Sequence, residues 1–126
     1  MTLDSILEEI KKAETIAILT HETPDGDAVG SSLAMKIALK QLGKNADVII
    51  PKYSKVFGFL PNANEIKAES KIKRYDLAIA VDCSDLKRLA QGKEYFETAK
   101  TKIEIDHHSI NTMFGDYNFV NPVAPA

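Results

Sequence analysis

The chain has 126 residues, a single cysteine, 44% hydrophobic and 27% charged residues, and a formal net charge of −2. A chain of this length buries roughly two-thirds of its unfolded surface, enough for one core without a disulfide framework or a structural metal. The charge balance excludes a basic footprint for long duplex nucleic acid, no apolar run reaches membrane-spanning length, and the acidic amphipathic start is not a signal peptide; a cytoplasmic protein is the default.

Leu3, Ile6, Leu7 and Ile10 recur at helical spacing, with Ser5 and Glu8 as a capping pair, so the first dozen residues read as a helix. A strand is predicted over 15–20, followed by a polar loop. Val29, Leu33, Ile37 and Leu42 then describe the buried stripe of a second helix, and Gly43 is placed to end it in the left-handed conformation. A strand follows over 46–50. From 51 to 74 the pattern weakens; Val56 to Leu60 reads as a short helical turn closed by Pro61-Asn62. Strand signals return at 76–81 and 102–105, separated by a helical stretch over 85–100, and a last strand is predicted at 117–120. There is no internal repeat and no interdomain linker. The alternation predicts an α/β fold, Rossmann-like and doubly wound, with a mainly parallel sheet and helices on both faces.

Right-handed crossovers would set the runs around Ile16, Leu77 and Ile103 side by side, and each run ends in chemistry-bearing side chains. His21, Asp25 and Asp27 follow the first run, Asp82 the second, and Asp106-His107-His108 the third. Open parallel sheets build their sites beyond the carboxyl ends of the strands, where such residues converge. Mixed nitrogen and oxygen donors without thiolate suit Mn²⁺, Mg²⁺, Zn²⁺ or Fe²⁺, with Mn²⁺ favoured by ligand hardness. Close carboxylates repel, and two divalent ions would neutralise them and supply a hydroxide for attack on phosphorus.

With three motifs in order, the chain resembles the DHH family of phosphoesterases over essentially its whole length. His21, Asp25 and Asp27 match the first motif, Asp82 the second and Asp106-His107-His108 the third, and the stretch from Pro24 to Ser32 is similar to the oligoribonuclease/pAp-phosphatase branch. The resemblance implies that His21 and Asp25 hold one metal, Asp27 and His107 the other, and that Asp82 bridges them. It further implies that His108 faces the phosphate while Asp106 braces the histidines. Implied substrates are small nucleotides: short single-stranded oligoribonucleotides or 3'-phosphoadenosine 5'-phosphate (pAp). Cyclic dinucleotides, single-stranded DNA ends and pyrophosphate are the alternatives within the family, and a homodimer is left open. Family members continue beyond the Asn121-Pro122 region into a fourth-motif Asp, a linker and a second, substrate-gripping domain. The chain is therefore expected to be an N-terminal domain, weakly active or inactive alone. The reading from another class is a catalytically silent metal- or partner-binding module.

Blander readings stand beside these. Asp25-Gly26-Asp27 alone is a turn plus a helix N-cap, and a calcium loop starting at Asp25 fails at Val29 and Lys36, where oxygen ligands are required. Asp82 alone could cap a strand end. The His107-His108 pair resists a packing explanation, because adjacent strand residues point to opposite faces. Cys83 reads as a packing residue rather than a nucleophile. Lys36, Lys40 and Lys44 read as a solvated helix face, and Lys67, Lys71, Lys73 and Arg74 as solvated rather than phosphate-binding. Phe57 and Phe59 read as packing residues, with stacking on a base as the alternative.

Overall fold

Strands buried on both faces read as continuous apolar runs, and the central runs of this chain are of that kind: β1 (Ile16–Leu19) and β3 (Leu77–Val81) are buried at every position. The computed structural model describes residues 3–126. Around these two strands lie α1 (Leu3–Lys12), α2 (Gly26–Gln41), β2 (Ala46–Val48), α3 (Lys93–Thr98), β4 (Thr101–Asp106) and β5 (Tyr117–Val120), with 3₁₀ segments at Lys55–Phe59, Ala63–Glu65 and Leu86–Gly92. The five strands form one all-parallel sheet in the order β2-β1-β3-β4-β5. The predicted fold class and the adjacency of the three apolar runs both hold.

The two sheet faces are packed differently. Ile16, Ile18, Leu77 and Ile79 face α1 and α2, where Ile6, Ile10, Val29, Leu33 and Leu39 complete a core of branched aliphatic residues. The opposite face carries Ala17, Ala78 and Ala80, and these small side chains let Leu89 and Phe96 lie close against the sheet. The turn from α1 into β1 is latched to β3 by a reciprocal exchange: Asp76 Oδ2 accepts the amides of Glu14 and Thr15, and the Asp76 amide donates to Thr15 Oγ1.

Local expectations fail where tertiary contacts decide. Ser5 lies within α1, so it does not cap the helix start; residues 1 and 2 of the predicted helix lie outside the described residues. In α2 the fully buried aliphatic near the C-terminus is Leu39, at 1% exposure, whereas Leu42 is the C-cap and 53% exposed. The inner stripe thus runs through Ser32 and Leu33 toward Leu39, which brings Lys36 to the sheet side, where its Nζ donates to the Ala46 carbonyl. Lys44 Nζ likewise donates to the carbonyls of Lys11 and Ala13 at the end of α1, so two of the three helix lysines are structural ties rather than a solvated face. Gly43 takes the predicted left-handed conformation, φ 79°. β2 stops at Val48 because the chain leaves the β1 ladder to pair outward, Ile50 donating to the Lys67 carbonyl and Lys67 to that of Val48. The helix predicted over 85–100 breaks at Ala90 (φ 48°, ψ −113°), and Gly92 then seats against Leu19, where even an added Cβ would lie 3.5 Å from Leu19 Cδ2.

Phe96→Ala should lower the free energy of unfolding by about 3–5 kcal/mol through cavity formation against the alanine-lined face. Leu42→Ala should stay within about 0.5 kcal/mol. Urea unfolding of both variants checks the pair, and a large loss at Leu42 would restore the helical stripe expected from periodicity.

Candidate metal centre

The parallel register makes the ends of β1, β3 and β4 flush, since Leu19 pairs with Ala80 and Val81 with Ile105. Thr20 Oγ1 donates to the Val81 carbonyl (2.8 Å), tying the first two ends together. His21 follows. Its Nδ1 donates to the Glu22 carbonyl (2.7 Å), which leaves Nε2 as the lone-pair nitrogen, 3.5 Å from Asp82 Oδ2 and 3.9 Å from Asp25 Oδ1.

Asp25 caps α2 by accepting the Ala28 amide on Oδ1. Asp27, in the first turn, divides its oxygens: Oδ1 accepts the Ser31 hydroxyl and Oδ2 lies 2.9 Å from His107 Nε2. Asp82 is 6% exposed and adopts φ 56°, left-handed for a non-glycine residue, immediately after β3. Such a conformation costs about 1–3 kcal/mol and persists only where surrounding contacts impose it. Here it divides the carboxylate, with Oδ2 toward His21 and Oδ1 2.9 Å from His107 Nε2. The groups His21-Asp25-Asp82 and Asp82-Asp106-His107-His108 each bring a donor atom from every member within 4.8 Å of the others.

Charge in this cluster is not self-compensated. Burial pushes the Asp82 carboxyl above the ordinary carboxylate value, the hydrogen bond from His107 opposes this, and the Asp27 charge adds to it. His107 is raised above the ordinary imidazole value: burial pulls the other way, but the bond to Asp82 and the charges of Asp82 and Asp27 prevail. A proton on Nε2 thus sits between two carboxylates, where a cation could replace it.

Asp106 is engaged differently. Its Oδ1 accepts His108 Nδ1–H (2.6 Å) and its Oδ2 the Asn111 amide (2.8 Å). Burial alone would raise this carboxyl, yet those bonds hold it below the ordinary range. The His108 side chain is 45% exposed. The loop beyond it is pinned by Glu104, which is fully buried: Oε2 accepts the Phe114 amide, while Oε1 has no partner among the described residues. Gly115 passes so close that an added Cβ would meet Tyr117 O at 3.0 Å and Glu104 N at 3.1 Å.

All seven residues singled out from the sequence therefore meet at one end of the sheet. Sequence reasoning missed Ser31, Asn111 and Glu104. Ser31 was findable as the i+4 neighbour of Asp27; Asn111 sits in an irregular loop and gives no periodic signal.

A family model described as the DHH family, N-terminal domain, matches residues 15–126. The chain belongs to the DHH family. It is 35% identical over 121 residues to the bifunctional oligoribonuclease and PAP phosphatase NrnA of Thermus thermophilus, covering 93% of this chain and 35% of that protein. It is 28% identical over 123 residues to a probable bifunctional oligoribonuclease and PAP phosphatase NrnA of Streptococcus mutans, covering 95% of this chain and 38% of that one. Among solved structures, an exopolyphosphatase-related protein from Bacteroides fragilis superposes with a TM-score of 0.86 at 28% identity, over 95% of this chain and 38% of its own. The chain thus spans little more than a third of each of these relatives.

Residues outside the DHH motifs settle into other roles. Cys83 is buried in the alanine-side core, its thiol pushed up to about 12 by desolvation and its Sγ donating to the Asp85 carbonyl, which leaves no thiolate for nucleophilic use. Lys67 pairs with Asp47. Lys71, Lys73 and Arg74 are exposed and lead into the amino end of β3, away from the site. Phe57 packs on the core, but Phe59 is 80% exposed and is not a packing residue. No helix among the described residues is long and apolar enough to cross a membrane.

Burial raises the Glu104 carboxyl, the Asn111 side chain and the Phe114 amide oppose this, and the Asp106 charge adds to it. A raised folded value means that the ionised form costs stability at neutral pH and that the parent gains stability as pH falls through it toward the ordinary unfolded value. Glu104→Gln removes that ionisation. The variant should therefore be the more stable at pH 7, with an advantage that shrinks as the medium is acidified. Paired denaturant titrations from pH 7 to pH 4 test this, and a difference independent of pH would show that Glu104 is not the buried charge described.

Proposed function

We propose that this chain is the ion-holding part of a phosphoesterase that acts on small nucleotides, with short oligoribonucleotides and pAp as the favoured substrates. The observation that carries the reading is the division of Asp82: Oδ2 lies toward His21, whose Nε2 also neighbours Asp25, and Oδ1 toward His107, whose Nε2 also neighbours Asp27. One carboxylate between two clusters of nitrogen and oxygen donors fits a pair of divalent ions. His21 and Asp25 would hold one, Asp27 and His107 the other, and Asp82 both. The donors are hard and contain no thiolate, which favours Mn²⁺, with Mg²⁺ as the alternative. The names of the bacterial relatives support the substrate class, and the activity is proposed for a protein that includes this segment rather than for the segment alone.

When bound, the ions supply charge neutralisation at the phosphoryl group and an activated water. The chain's own residues do the rest. Asp106 holds the Nδ1 proton of His108, so that Nε2 is the nitrogen turned toward substrate, where the doubly protonated ring would donate to a phosphoryl oxygen; Asn111 keeps Asp106 from turning away. Ser31 fixes the Asp27 carboxylate, and the Glu22 carbonyl fixes the His21 tautomer. These restraints hold the donors in place before substrate arrives, the condition under which electrostatic stabilisation of a transition state is effective.

The ligand map predicts an asymmetry. Asp82→Ala should weaken both Mn²⁺ positions, while His21→Ala should weaken chiefly one. Calorimetric titration of the two variants with Mn²⁺ decides it, and equal, negligible effects would remove the map. In a longer protein carrying this segment, release of phosphate from pAp and of mononucleotides from short RNA should stop with chelator, and His108→Ala should slow turnover by about 10²- to 10⁴-fold. Activity that survives both treatments would reject the mechanism.

A further inference from the structure

Beside the ion cluster, on the β2 side of β1, lies a cavity of about 540 Å³. Its walls include Ile49, Ile50, Pro51, Tyr53, Leu89 and Ala90. The loop that begins with His21 forms another side of the rim. The cavity is a built feature rather than a gap between loose loops. Glu22 N–H donates to the Arg88 carbonyl (2.6 Å), clipping the His21 loop to the 3₁₀ segment opposite, and Gly92 seats that segment on Leu19. Both clipped walls carry a non-glycine residue at positive φ, Thr23 at 49° and Ala90 at 48°. Strained backbone of this kind concentrates at ligand clamps.

The position of the cavity sets what can fill it. Its rim shares His21 with the proposed ion cluster, so an occupant that also reaches the ions needs an anionic end there and a body that fits between apolar walls. Pockets of about 300–1,000 Å³ with apolar walls and a few polar groups are the size that holds such ligands. Tyr53 places an aromatic side chain in the lining, and Thr23, Lys52 and Gln91 add polar side chains to it. A flat heteroaromatic ring with a polar edge, joined through a sugar to a phosphate, meets each requirement.

We propose that this cavity is the nucleoside subsite, taking the base and sugar of the nucleotide whose phosphate lies at the ion cluster. The proposal rests on the phosphoesterase reading for its orientation, but its test does not. The amide signals of the isotopically labelled 126-residue chain are followed while adenosine, adenosine 5'-monophosphate or ribose 5-phosphate is added, with Mg²⁺ present. Adenosine, which has no phosphate, should shift signals at residues 49–54 and 89–92. The monophosphate should bind about tenfold more tightly than ribose 5-phosphate, the scale of one base stacked on an aromatic ring. Gln91→Trp, at an exposed position on the wall, and Tyr53→Ala should each erase most of that preference by lowering the affinity for the monophosphate more than that for ribose 5-phosphate. Equal binding of the two phosphates, or adenosine shifts confined elsewhere, would overturn the subsite even where Mg²⁺ still moves the signals of His21 and Asp82. Adenosine shifts at the cavity with no Mg²⁺ response at those residues would support the subsite and sink the ion-centre reading instead.

Discussion

The site depends on one buried carboxylate held in an unfavourable backbone conformation. Asp82 ends the central strand at φ 56°, its amide donating to the Ile105 carbonyl (3.1 Å). Extending the register two steps beyond Leu19–Ala80 and one step beyond Val81–Ile105 sets His21, Asp82 and Asp106 in a row across three strand ends. A slip of one residue between β1 and β3 would turn each side chain to the opposite face. The alternation that buries Ile16, Ile18, Leu77 and Ile79 on one side and Ala17, Ala78 and Ala80 on the other forbids that slip. Core packing thus fixes the register that sets Asp82 between His21 and His107.

That dependence explains why so many unfavourable features are tolerated at one end of the sheet. Asp82 and Glu104 are held above the ordinary carboxylate value by burial, and Thr23, Asp82 and Ala90 all take positive φ. Each strained backbone costs about 1–3 kcal/mol. A fully buried aliphatic or aromatic side chain contributes about 1.5–3 kcal/mol, so the two cores can carry these costs. Hydrogen bonds at the site serve a different end: Ser31 on Asp27, Asn111 on Asp106 and Glu22 on His21 each occupy the atom that faces away from the neighbouring cluster. They choose orientations more than they add stability.

The parts of this arrangement legible in the sequence were those in which one residue type answers one physical demand. Doubly buried strands need uninterrupted apolar runs, and strand ends at a sheet crevice are where isolated Asp and His residues become informative, so the sheet centre and the convergence of the seven residues at its end could be read directly. What escaped was decided by packing between distant segments. Periodicity alone counted Leu42 into the inner face of α2 and left Lys36 out, because it carried no information on where the helix would end or that the Ala46 carbonyl would receive an ammonium. The break at Ala90 was invisible for the same reason: the helical pattern continues through it, and the bend shows only in the backbone angles, beside Gly92 packed on Leu19. Asn111 and Glu104 act through contacts across a loop, which no local pattern encodes.

The connectivity of β1 gives the His21 loop two neighbours. On one side β1 pairs with β3, which brings Asp82; on the other it pairs with β2, beside which the cavity opens. The chain leaves β1 through this loop and enters α2 at Asp25, so a single short segment borders both the carboxylates and the apolar walls. Within it, Glu22 is the physical link. Its carbonyl accepts the proton that fixes the His21 tautomer, and its amide donates to Arg88 on the far wall of the cavity. The segment that aims His21 Nε2 at Asp82 is thus also the one bonded to that wall. The imidazole and the cavity wall therefore share one residue, which meets both through its backbone.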